Sequence, residues 1–155
     1  MPITIERLGI ESAELALEMV QSLLAELGEE GDELGRLDAP KVLDAWFRNR
    51  QAVHLFVARD HEGRPVGLTT VVESFAIYAN GSYGVINEMY VVPSHRSFGV
   101  GHRLIQAAKE FGAGRKWTRL DVTAPESERW ARTRAFYERE GFRFAGPKLK
   151  LILLE

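Results

Sequence analysis

The sequence predicts an α/β (α+β) domain: a mixed, mostly antiparallel central sheet of six to seven strands flanked by about four helices. Three observations point there. Three runs rich in β-branched and aromatic residues, Val53 to Arg59, Pro65 to Val72 and Tyr83 to Val92, follow one another through short turn-bearing connectors. Helical periodicity brackets those runs on both sides, which favours a mixed sheet over a purely parallel one. A chain of 155 residues with 45% hydrophobic content can bury one core and is too short for two full domains, so residues 1–155 read as a single domain.

Ile3, Ile5 and Leu8 alternate with polar neighbours as a short first strand. Ser12 stands where an N-cap belongs, ahead of Leu15, Ala16, Met19, Val20, Leu23, Leu24 and Leu27, and Gly28 can stop that helix. Glu29, Glu30, Gly31, Asp32 and Glu33 form an acidic connector before Pro40 opens a second helix through Val42, Leu43, Trp46 and Phe47. The connector after Arg59, Asp-His-Glu-Gly-Arg-Pro, is a hairpin turn, and Asn80-Gly81 marks another. Leu104, Ile105, Ala108 and Phe111 make a third helix ended by Gly112 and Gly114. Leu120 and Val122 follow as a strand, and a helix from about Ser127 to Glu140 closes at Gly141. Phe144 and the run Leu149, Leu151, Ile152 and Leu153 are final strand material, with Leu149 to Leu154 an edge for pairing in a homodimer.

Composition excludes several classes of function. Twenty basic against 22 acidic residues leave a net charge of −2, so no overall positive field draws the chain to nucleic acid, and any anion site must be local. The absence of cysteine rules out disulfide staples, thiolate metal sites and a thiol nucleophile. His54, His61, His95 and His102 lack metal-ligand spacing, so no metal is expected. No signal-type start and no apolar run of membrane-spanning length occur, and a soluble, cytoplasmic protein without membrane partners is the expectation.

The stretch from Asn87 to Leu104 runs strand, turn, helix. Gly99 and Gly101 let backbone amides approach a ligand, and the unpaired N–H groups of the helix starting there face the turn with the positive dipole end, a place suited to phosphate. Arg96 and Arg103 flank it with charge. The same two glycines also serve a plain tight connection, and both the dinucleotide fingerprint and the Walker pattern are incomplete.

Arg96-Ser97-Phe98-Gly99-Val100-Gly101 resembles the Arg/Gln-x-x-Gly-x-Gly/Ala acyl-CoA loop of the GCN5-related N-acetyltransferases (GNAT), placed after a strand ending Tyr90-Val91-Val92-Pro93 as in that family. About 40 residues downstream, Phe136-Tyr137-Glu138-Arg139-Glu140-Gly141-Phe142 resembles the family's Phe-Tyr-x-x-x-Gly-Phe signature. Two motifs at the expected separation are more specific than either alone. The resemblance is close from about Tyr83 to Phe144. It departs at Trp130 and Thr133, where the family often has Asn-x-x-Ala, and at Ser97, where it often has Gly.

The resemblance implies an acetyl-CoA-dependent N-acetyltransferase working by direct transfer in a ternary complex, without a metal. It implies pantetheine inserted beside Met89, Tyr90 and Val91 as an added strand, with the Met89 N–H at a bulge polarising the thioester. The loop residues Arg96, Ser97, Phe98, Gly99, Val100, Gly101, His102 and Arg103, with Phe136, would hold the cofactor. Tyr137 is the implied acid toward the CoA sulfur; outside its motif it reads as a core aromatic. Glu88 is the candidate base, although strand alternation equally sends it to solvent, with Glu73 and His95 in reserve.

The resemblance places the acceptor among the first two helices, their connector and the connector between the third and fourth strands. Glu29, Glu30 and Glu73 would draw a cationic small molecule or peptide amine there, and Phe75 and Tyr78 would hold its body; a merely solubilising loop is the plainer reading. The alternative function is a non-catalytic acyl-CoA-binding or sensing module of the same fold.

Overall fold

The computed structural model describes residues 2–28, 37–124 and 128–153. Its elements are β1 (Thr4–Leu8), α1 (Ala13–Leu27), α2 (Ala39–Arg48), β2 (Val53–Arg59), β3 (Pro65–Ala76), β4 (Gly81–Val91), α3 (Val100–Gly114), β5 (Leu120–Val122) and α4 (Ala131–Arg139). The sheet runs in sequence order, antiparallel from β1 to β4 and parallel between β4 and β5. That is the mixed, mostly antiparallel sheet with four α-helices the sequence predicts, with five strands among the described residues rather than six or seven.

Alternation along β2 and β3 divides the core between the two sheet faces. Leu55, Val57, Leu68 and Tyr90 pack with Ala16 and Met19 of α1, and Trp46 of α2 lies against them. Phe56, Ala58, Val71 and Ile86 pack on the other face with Val100, Leu104, Ile105 and Ala108 of α3 and Tyr137 of α4. Leu55, Leu68, Leu104 and Ile105 are fully buried, each worth about 1.5–3 kcal/mol relative to exposure.

Local chemistry departs from the sequence reading at three places. Ser12 precedes α1 without a capping hydrogen bond; Glu11 accepts from the Gly9 N–H instead, at the head of a single 3₁₀ turn. At α2 the cap is Asp38, which accepts from the Lys41 N–H. Gly112 does not end α3. The helix continues to Gly114 and closes with Lys116 at φ 62°, the Lys116 N–H reaching Ala113 O and the Trp117 N–H reaching Gly112 O at 2.8 Å. That is a Schellman closure, and it lays the Trp117 indole where a Gly112 side chain would be. A Cβ on Gly112 would sit 2.7 Å from the indole. Gly112→Val is therefore expected to destabilise the fold by about 1–3 kcal/mol, measured as a lower denaturation midpoint; an unchanged midpoint would show that Trp117 is free to move.

The final strand is a correction. Residues 142–153 form no strand, and Phe144, Leu149, Leu151, Ile152 and Leu153 are exposed. Their apolar alternation satisfies the local pattern of a strand, but a strand also needs a ladder partner. Among the described residues the strand at that end of the sheet, β5, is three residues long.

Candidate active site

β4 carries the main irregularity of the sheet. Thr70 pairs with Glu88 and the next residue, Val71, pairs with Ile86, so Asn87 is the extra residue of a β-bulge. The bulge turns Asn87 and Glu88 together into a cavity of about 430 Å³ roofed by α1 and α2. Glu88 is held at three points: its N–H donates to Thr70 Oγ1 at 3.2 Å, its carbonyl accepts from Thr69 Oγ1 at 2.8 Å, and its carboxylate accepts from the Thr70 hydroxyl. Burial pushes the Glu88 carboxyl above the ordinary carboxylate range, against the opposing pull of the Thr70 hydrogen bond. A carboxylate raised in this way is a better proton acceptor than one in water. The alternation left open in the sequence resolves toward the cavity rather than bulk solvent.

Beyond the bulge the outer edge of β4 has no ladder partner among the described residues. β5 pairs only with Gly84, Val85 and Ile86. The Val92 N–H points to Val66 O on β3, so by alternation Met89 and Val91 direct their backbone groups the other way, into the gap. Arg96 Nε takes the Val91 carbonyl at 2.8 Å, leaving the Met89 N–H and C=O facing the gap. Met89 and Val91 pack against the same cluster as Tyr137, Phe136 and Phe142. Tyr137 is buried, and burial alone raises its phenol to about 12, so the proton stays on oxygen throughout the working pH range.

The loop before α3 is shaped by two residues with positive φ, Ser97 at 67° and Gly99 at 82°. Gly99 is the N-cap of α3 and has open space around it, so the amides of Val100, Gly101 and His102 form the first turn of a helix beside unobstructed space. Gly101 has a different duty. A Cβ there would lie 3.0 Å from the Phe136 ring, so glycine lets α4 approach α3. Arg103 and Phe98 are exposed beside the loop, and His102 Nδ1 lies 2.9 Å from Glu140 Oε1. Arg96 makes a bidentate pair with Glu26 of α1 at 2.6 and 2.7 Å, which holds the loop against α1 and occupies the guanidinium expected to face phosphate.

The remaining sequence candidates lie apart from this cavity. Glu73 is on the opposite sheet face, bound to Arg115 and to the Trp117 indole N–H, and its carboxyl is lowered first by the Arg115 hydrogen bond. Phe75 and Tyr78 are exposed on the β3–β4 hairpin, with Arg119 against the Tyr78 ring. His95 sits in a 3₁₀ turn, 2.9 Å from Ser94. Glu29 and Glu30 lie outside the described residues. Sequence reasoning missed Thr70, Asn49 and the wall formed by Leu17, Val20, Val42 and Trp46. Trp46 read as an ordinary core position of an amphipathic helix, and only the β3–β4 register reveals what stands opposite Glu88.

The chain is similar to known proteins in family and fold. A family profile described as an acetyltransferase (GNAT) domain matches residues 51–144. The uncharacterized N-acetyltransferase YhfO of Bacillus subtilis (strain 168) is 28% identical over 104 residues, 67% of each chain. A GCN5-related N-acetyltransferase from Ralstonia eutropha JMP134 superposes with a TM-score of 0.80 at 20% identity, covering 97% of this chain and 99% of that one. A predicted acetyltransferase with acetyl-CoA from Clostridium acetobutylicum gives 0.77 at 18% identity, covering 97% and 96%. The fold and the open β4 edge define an acyltransferase scaffold. The chain belongs to the GNAT family and is an N-acetyltransferase by that membership.

The residues present suit an acyl-CoA. The open edge of β4 can accept the amides of an extended arm, and the α3 amides behind Gly99 can accept a diphosphate. Among the described residues no group of His, Cys, Asp and Glu is placed to hold a metal ion, and no helix is long and apolar enough to cross a membrane.

Proposed function

We propose that the chain is an acetyl-CoA-dependent enzyme of the cytoplasm, a single domain that moves an acetyl group to a primary amine by direct transfer in a ternary complex. The bulge at Asn87 carries this reading. It supports a carboxylate, Glu88, on one side of β4 and, one residue later, the Met89 N–H on the outer edge, which has no ladder partner there among the described residues. Glu88 takes a proton from the incoming ammonium and returns it to water, leaving a neutral nucleophile. The Met89 N–H stabilises the negative charge that develops on the carbonyl oxygen. Tyr137 gives its proton to the departing sulfur and recovers one as the nitrogen sheds its excess proton. As the N–C bond forms and the C–S bond breaks, one ammonium and one thioester become an amide, a thiol and one proton in solvent.

Two measurements test this. Calorimetry with acetyl-CoA should show saturable binding, and addition of a primary amine should release free thiol. No saturable heat would end the proposal, while binding without thiol release across a broad amine panel would favour a sensing module. The loop makes its own prediction. Placing a Cβ at φ 82° costs about 1–2 kcal/mol, so Gly99→Ala is expected to lower the stability of the fold by about that amount, read as a lower denaturation midpoint; an unchanged midpoint would show that the loop tolerates a Cβ.

A further inference from the structure

The cavity above Glu88 carries information about what enters it. Its wall is apolar, built by Leu17, Val20, Val42, Val53, Val72 and Trp46. Among the described lining residues Glu88 is the only charged one, with Asn49, Thr70 and Asn87 as the polar neutral groups. At about 430 Å³ it lies within the ordinary range for small-molecule sites, roughly 300–1,000 Å³.

Charge and surface select the occupant together. One carboxylate at the floor can neutralise one ammonium. A second ammonium held within the cavity would lie against leucine, valine and indole with no counter-charge among those described residues, and an unpaired buried cation is unfavourable. The polyhydroxylated body of an aminosugar would leave hydroxyls facing groups that cannot hydrogen-bond to them. An alkyl or aryl body instead gains from every methylene it buries.

We infer that the acceptor is a primary monoamine bearing an apolar aliphatic or aromatic body, inserted amine-first between α1 and α2 with its nitrogen at Glu88. This rests on the acetyl-transfer reading for its chemistry but not for its binding. It narrows the broader expectation of a cationic acceptor to one that carries a single positive charge.

A matched pair of probes tests it. Hexylamine and 1,6-diaminohexane have the same chain length and differ by one terminal ammonium. Both are measured with the acetyl-CoA-loaded protein, by thiol release and separately by calorimetry on the protein loaded with CoA. Hexylamine is expected to be favoured about 10- to 100-fold in kcat/KM and in Kd, and shortening it to butylamine should weaken it about fourfold per methylene. Val42→Asp, which adds a carboxylate to the wall on the α2 side, should move the preference toward the diamine. Thiol release that is equal for the two probes or favours the diamine overturns the inference while leaving acetyl transfer intact. Selective binding of hexylamine without thiol release supports the inference and overturns acetyl transfer. Failure of hexylamine both to bind and to react overturns the inference, as does a Val42→Asp protein with unaltered preference.

Discussion

Glu88→Gln is expected to lower kcat/KM for the amine by about 10²- to 10⁴-fold, with the Kd for acetyl-CoA unchanged. The size follows from what the substitution removes. Gln keeps the length and can still hydrogen-bond to Thr70, but it cannot accept the ammonium proton. The pH profile supplies the second half of the expectation. Burial raises the Glu88 carboxyl above its ordinary value of 4.5, so the base becomes competent only above the usual carboxylate range, and wild-type activity should rise with pH through that displaced pKa. The rising limb assigned to this group should be lost in the variant.

Stability responds in the opposite sense. Because the folded pKa lies above the unfolded one, the folded state favours the protonated carboxyl. The contribution of Glu88 to stability is full below the unfolded pKa and is lost as pH rises through the folded pKa. Gln has no such loss, so the variant should be at least as stable as the wild type at neutral pH. An inactive protein that is also unfolded would not match this prediction; a well-folded variant acetylating at the wild-type rate would remove Glu88 from the role of base.

Much of this scaffold could be read from the chain because the relevant signals are local. The runs 53–59, 65–72 and 83–92 carry β-branched and aromatic side chains between turn residues, and the structure extends the second to Ala76 and begins the third at Gly81. Asn80-Gly81 turns with φ values of 62° and 138°, as a turn-forming pair can. What could not be read depends on packing and pairing partners that the local pattern does not identify, whether near in sequence or far. Gly112 looks like a terminator until Trp117 is seen folding back over it. The Leu149 to Leu153 run has strand alternation, yet pairing needs an edge, which no local pattern reports. Arg96 appears as a charge beside a phosphate loop until Glu26, seventy positions earlier, occupies it. Glu88 shows the limit most clearly: period-two reasoning leaves its direction open, and one extra residue at Asn87 decides it.

Tyr137→Phe should lower kcat by about 10²- to 10⁴-fold with little change in the affinity for acetyl-CoA. The argument turns on the difference between a core aromatic and a proton donor at one position. The ring packs edge-on against Phe136 and Phe142, at centroid distances of 5.2 and 5.6 Å, and phenylalanine preserves those contacts. The hydroxyl contributes nothing comparable to the fold: among the described residues, burial is the influence that moves the phenol. Its removal should therefore be near neutral for stability, because the ring contacts remain and Tyr137 Oη is not among the buried polar atoms left without a partner. A purely structural Tyr137 thus predicts a Phe variant with both stability and turnover unchanged, whereas an acid predicts unchanged stability and lost turnover. Acceptors of higher acyl-transfer reactivity should not restore the rate, but a donor whose leaving thiolate needs no proton, such as an activated aryl thioester, should recover part of it. Measuring that rescue alongside kcat separates a missing proton from a displaced arm: recovery with the aryl thioester supports Tyr137 as the donor, and wild-type turnover with acetyl-CoA across pH would remove it from that role.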